Sequence, residues 1–256
     1  MPFYDDFGLG CWLYGNFGND RVTVDEDGSL VSTGFGRDRV RVEADDVTVD
    51  LGFGNDRVRT FGDDTVVNGG LGHDKLLGGD GADSLWGNFG NDVIRTGKGA
   101  DYALGNWGND LTDTGEGLGI HFGGAGDDTF FISREIVGNN AQDTVIALDF
   151  GNGHDRLDIA PEILADIANI NEGPVDLVPV LAAFEAEGLG VPEVGERLSQ
   201  TFLGDLAFRE VASFLEQFTS NEQGQILVDA TTVTTNEGDT IIALGVTKDQ
   251  LLAAVA

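Results

Sequence analysis

The 256-residue chain is short of positive charge: 14 Lys and Arg stand against 45 Asp and Glu, giving a formal charge of −31 and a pI near 4.1. A surface this acidic repels phosphate backbones and anionic headgroups, which excludes nucleic acid and anionic membranes as partners. One cysteine, Cys11, rules out an internal disulfide. The chain is then either cytosolic or held together outside the cell by something other than sulfur. Only three histidines occur, His73, His121 and His154. None sits in a His-Glu-x-x-His helix and there is no Gly-x-Ser-x-Gly elbow, so zinc-protease and lipase chemistry lack their residues. Carboxylates are so numerous that no pair stands out for glycosidase or lyase work, and the chain reads as a non-enzyme. No apolar run is long enough to span a membrane. The start, Met-Pro-Phe-Tyr-Asp-Asp, lacks the basic region and apolar core of a Sec-type signal.

Glycine, by contrast, is abundant at 39 residues, and it is periodic. A phrase of the type Gly-Phe-Gly-Asn-Asp closes on Asp20, Asp38, Asp56, Asp74, Asp92, Asp110 and Asp128, each eighteen residues after the last. Asp83 and Asp101 close half-period copies. The unit is a nonapeptide with glycine at positions 1, 2 and 4, aspartate at 6 and an apolar residue at 8. The position-8 column runs Val22, Val31, Val40, Val49, Val58, Val67, Leu76, Leu85, Ile94, Ala103, Thr112, His121, Phe130. It keeps phase through copies whose glycines have decayed, such as 24–32 and 42–50. Stacked strands require this, because one inserted residue turns every later side chain to the opposite face.

Position types give the chemistry. Glycines permit positive φ and a close backbone approach. The aspartate is a hard oxygen ligand, and the carbonyls of the loop glycines Gly18, Gly36, Gly54, Gly72, Gly90, Gly108 and Gly126 supply further oxygens. Two units make one eighteen-residue coil, so loops eighteen apart stack on one edge and a cation between them takes oxygens from both. Departures are Thr33 and Leu51 for the first glycine, Asn16, Asn88 and Asn106 for the second, and Gly119 for an aspartate.

These residues resemble the haemolysin-type nonapeptide of RTX proteins, Gly-Gly-x-Gly-x-Asp-x-apolar-x, clearly over 14–131. The resemblance implies a mainly β fold, a right-handed parallel β-roll that binds calcium. Seven loops leave about six gaps for Ca²⁺, and Asp83 with Asp101 suggests about one more. The opposite edge has Ser29, Val47 and Thr65 in place of aspartate at its start, and its nearby acids (Asp25, Glu26, Asp27, Glu43, Asp45, Asp46, Asp63, Asp64) read as solvated.

The remainder divides as follows. Residues 1–13 form a cap in which Phe3, Phe7 and Trp12 cover the first coil; 14–131 are the roll; 132–160 hold strands that end it, with Asp149, Asp155 and Asp158 as candidates for a further ion. Residues 161–222 switch to helical periodicity, with helices over 161–171, 175–187 and 194–218. Residues 223–256 give a hairpin, 225–235 with 239–244, and a short terminal helix capped by Thr247. Trp86, Tyr102, Leu104, Ile120 and Phe122 make an outer patch too apolar for water, so the carboxy-terminal part is expected to pack there.

Two outward rows exceed what a metal needs. Arg21, Arg39, Arg57 and Lys75 at position 7, with Arg41, Arg59 and Arg95 at position 9, put seven of fourteen basic residues on one sheet. They read either as solubilising charges or as a docking face for an acidic partner, including another copy. Phe17, Phe35, Phe53, Leu71, Phe89, Trp107 and Ala125 form a position-3 row, either packed over the turns or offered to a ligand.

The acidic, lysine-poor tail resembles the uncleaved signal of type I secretion substrates, which implies export in one step and folding on calcium outside. The expected function is therefore a secreted calcium-binding protein with an extracellular structural, assembly or adhesin-like role. A non-catalytic polysaccharide-binding module is the rival, and an RTX-associated epimerase or lyase the third reading.

Overall fold

The computed structural model describes residues 3–6, 11–113, 115–133, 143–148, 154–186, 225–244 and 246–250. Each coil gives one short strand to each of two parallel sheets. Arg21–Val24, Arg39–Val42, Arg57–Thr60 and Lys75–Leu77 stack in one; Leu30–Ser32, Thr48–Asp50, Val66–Leu71 and Ser84–Phe89 stack in the other. Successive strands of these coils pair residues eighteen apart, as in Val22 with Val40 and Val31 with Val49. The architecture is a parallel β-solenoid, the expected β-roll.

A single layer of side chains fills the roll. Val31, Val49, Val67 and Leu85 from one sheet meet Val40, Val58, Leu76 and Ile94 from the other, all buried. Burying each contributes about 1.5–3 kcal/mol relative to leaving it exposed. Towards the end the column turns polar: His121 Nδ1 lies 2.8 Å from Thr112 Oγ1 and its ring meets Phe130 edge-on at 6.0 Å. Burial pushes this imidazole down to about 3, so it is neutral.

The strands of the 143–159 stretch, Thr144–Leu148 and Arg156–Ile159, lie on opposite sheets and so add another coil. The helix expected over 161–171 is shorter. It spans Pro161–Asp166, with proline in its first turn, and the chain then becomes the ten-residue strand Ile167–Asp176. Ile167, Asn169, Ile170 and Asn171 are weak helix formers, and an antiparallel partner, Leu227–Thr235, takes up the backbone groups along the strand. Pro174 is tolerated because this strand lies at the edge of the sheet. The second helix is Val178–Ala186; the helix expected over 194–218 lies outside the described residues, as do Phe7 and Asp149.

The expected hairpin forms from Leu227–Thr235 and Thr240–Leu244, and its second strand pairs in parallel with Thr144–Leu148. Around Trp86, Tyr102, Leu104, Ile120 and Phe122 pack Leu177, Val228, Ala230 and Leu244, as expected for that outer patch. At the other end, Phe3–Asp6 pairs antiparallel with Cys11–Tyr14, and Trp12 remains 53% exposed rather than covering the coil. Thr247 accepts from the Gln250 N–H at 3.3 Å, while Gln250 Oε1 accepts from the Thr247 N–H at 2.8 Å: the reciprocal cap of a helix start. No helix among the described residues is long and apolar enough to cross a membrane.

Candidate metal centre

The position-6 aspartates form one continuous ladder along an edge of the roll. The Asp20 N–H donates to Asp38 Oδ1 at 2.7 Å, Asp38 to Asp56 at 2.6 Å, Asp56 to Asp74 at 2.7 Å, and Asp74 to Asp92 at 2.6 Å. Asp92 donates to Asp110 at 2.7 Å and Asp110 to Asp128 at 2.8 Å. One oxygen of each carboxylate from Asp38 to Asp128 is thereby spent. The other, Oδ2 of Asp38, Asp56, Asp74, Asp92, Asp110 and Asp128, is buried with no hydrogen-bond partner. A buried anionic oxygen left this way costs roughly 1–3 kcal/mol or more, so six in one line call for a common partner.

The glycines shape the space around that oxygen. A Cβ on Gly69 would stand 2.8 Å from Asp74 Oδ2, and one on Gly87, Gly105 or Gly123 would collide with Oδ2 of Asp92, Asp110 or Asp128. At position 4, Gly72 has φ 149° and a Cβ there would strike the Gly54 carbonyl. The same contact recurs from Gly36 to Gly126, so each position-4 carbonyl from Gly18 to Gly108 faces the next loop. At position 2, Asn88 and Asn106 adopt φ 70° and 73°, a left-handed conformation that asparagine tolerates, which explains how these departures keep the turn. Thr33, a departure at position 1, donates its hydroxyl to the Leu51 carbonyl at 2.8 Å.

Electrostatics agree with the geometry. Burial pushes Asp56 up to about 6, Asp74 to about 8, Asp92 to about 7, Asp110 to about 8 and Asp128 to about 6. Carboxylates one coil away push in the same direction at Asp74 and Asp110. Such groups hold either protons or a cation. The donors are carboxylate and carbonyl oxygens, the set that suits a hard cation such as Ca²⁺. Among the described residues no three His, Cys, Asp or Glu side chains converge on one point, so backbone carbonyls must complete any coordination.

Asp83 and Asp101, on the other edge, differ in kind. Asp83 accepts from Thr65 N–H at 2.8 Å and Oγ1 at 2.6 Å through Oδ1, and from the Gly79 N–H at 3.0 Å through Oδ2. Asp101 accepts from the Asp83 N–H at 2.9 Å and from Thr96 Oγ1 at 2.8 Å. Both oxygens of each are satisfied by protein. Burial still raises both carboxyls, Asp83 to about 6 and Asp101 well above its usual range.

The structure also brings Asp155 into the main ladder, accepting from the Asp128 N–H at 2.9 Å across 27 residues. The sequence offered it only as one of three candidates for a further ion, beside Asp149 and Asp158. The signal was present as Gly151-Asn152-Gly153-His154-Asp155, displaced by three nonapeptides rather than two.

The arginines and Lys75 lie as expected on the outer face of one sheet, all exposed. Arg41 is tied to Glu43 at 2.5 Å, Arg95 stands 3.7 Å from Asp113, and the Arg41 and Arg59 guanidinium groups lie 4.0 and 4.5 Å from the Phe61 centroid. In the aromatic row, Phe17 stacks on Phe35 at 4.9 Å, Phe35 on Phe53 at 4.4 Å, and Phe89 on Trp107 at 4.3 Å.

Parallel coils whose glycine loops line up one carboxylate per turn define a calcium-type β-roll. Four copies of the RTX calcium-binding nonapeptide repeat match the chain, at residues 32–60, 59–94, 68–103 and 86–118. The stretch 32–118 is thus built of RTX-type nonapeptide repeats of the calcium-binding kind. Neither the curated proteins nor the solved structures compared with it gave a match.

Proposed function

We propose that the chain is a secreted protein whose roll folds when Ca²⁺ enters the gaps of one edge, and which then serves as an extracellular structural or assembly component. The observation that carries this is the line of six buried Oδ2 atoms without partners, from Asp38 to Asp128. With Asp155 the ladder has eight carboxylates and about seven gaps, and six bare Oδ2 atoms lie along it with position-4 carbonyls such as those of Gly54 and Gly72. The hydrogen-bonded Asp83 and Asp101 stand outside this set. Export by a type I apparatus is the route that suits a fold held by calcium instead of disulfide, because a chain in low calcium stays unfolded for passage. Binding of polysaccharide by stacking on the aromatic row is the weaker reading, since the ring faces of Phe35 and its neighbours are spent on one another. Calcium titration followed by far-ultraviolet circular dichroism tests the proposal. Strand signal should appear cooperatively with calcium, and a signal indifferent to it would falsify the reading.

A further inference from the structure

Arg21, Arg39, Arg57 and Lys75 occupy directly paired positions on successive parallel strands. Neighbouring strands are about 4.8 Å apart, so like charges face each other at every step. Among the described residues none of the four has a carboxylate within ion-pair distance. A row like this weakens an isolated roll and stands in need of an anionic row of the same rise. The same coils carry one. Asp27, Asp45 and Asp63 are exposed on the edge opposite the metal ladder, held in line as Asp45 N–H donates to Asp27 Oδ1 at 3.0 Å and Asp63 N–H to Asp45 Oδ1 at 2.8 Å. Both rows step once per coil because the same eighteen-residue period generates them.

We propose that the cation row of one copy docks against the Asp27, Asp45 and Asp63 row of a second copy. This names the contact behind the assembly role proposed above and rests on that reading. A linear acidic polysaccharide would answer the cations but leave the acid row unanswered, whereas a second copy answers both. The two rows are different surfaces of one molecule, so the contact is head-to-tail and propagates into a ring or an open array. Being made of exposed charges, it weakens with salt.

Sedimentation velocity of the full chain in calcium reads this directly. The native protein should form a fast species at low salt that dissolves at high salt. R39E/R57E and D45K/D63K should each sediment as monomers, and an equimolar mixture should regain the fast species, because each now carries what the other lacks. Calcium-dependent circular dichroism of each variant separates a lost contact from a lost fold. Variants that sediment like the native chain overturn the contact and leave the assembly reading standing. A native chain monomeric at all concentrations overturns both, and a fast species formed only with added polyuronate makes the polysaccharide the occupant instead.

Discussion

The two edges of the roll are built from the same nonapeptide and end differently. On one, Asp74 spends Oδ1 on the Asp56 N–H and keeps Oδ2 buried and bare. On the other, Asp101 has Thr96 to occupy that second oxygen, and Asp83 has Gly79. A threonine hydroxyl or a glycine N–H thus meets the second oxygen of the buried carboxylate on one edge, and no protein donor meets it on the other. Aspartate periodicity alone does not tell these two environments apart; the partners of the second oxygen do.

Chelation separates the edges most sharply. Removing calcium should abolish the strand signal and the thermal transition of the repeats together, as expected when metal binding supplies folding free energy; a melt unchanged by chelator would end the distinction. Next is pH without calcium. Asp74 and Asp110 sit near 8 and Asp92 near 7 in the fold, above the ordinary carboxylate value of about 3.9. The unfolded chain thus ionises first, so stability present at low pH is lost as pH rises from about 4 to about 8. The calcium-free chain should gain strand signal on acidification from pH 8 to 5, and calcium binding near neutral pH should release protons, measurable by titration in weak buffer.

Single carboxylates give a smaller contrast. Asp74→Asn should raise the calcium needed for folding and lower the number of ions bound. Asp83→Asn should cost about 1–3 kcal/mol at saturating calcium with the ion count unchanged, because it breaks hydrogen bonds only. Equal ion loss in both variants would put the second edge on a par with the first. Smallest is the comparison of two glycines of the metal edge. Gly72→Ala meets the Gly54 carbonyl as well as φ 149°, whereas Gly18→Ala at φ 119° meets nothing within 4 Å. The terminal substitution should cost only the backbone strain, roughly 1–3 kcal/mol, and the internal one clearly more, read as calcium-saturated melting temperatures.

Much of this was legible in the chain. The column from Val22 to Phe130 and the aspartates eighteen apart fix coil length, facing and ladder, because a period of two tolerates no slip. Three features were not. The Thr65 and Thr96 contacts depend on which rotamer meets a carboxylate. Asp155 falls in register only after a 27-residue step. The strand Ile167–Asp176 exists because a partner some 50 to 70 residues on pairs with it, from Asp176 opposite Leu227 to Ile167 opposite Thr235. Local propensity carries no trace of that partner.

The parallel pairing of Thr240–Leu244 with Thr144–Leu148 sets the order of events during maturation. Coils close between residues 18 apart, but this last rung joins Asp143 to Asp239 across 96. Loop-closure entropy puts the difference at about 1.5 kcal/mol. Winding is thus a fast local zipper, and the clasp waits for residues 240–244, so a chain cut before them should wind but fray from that side.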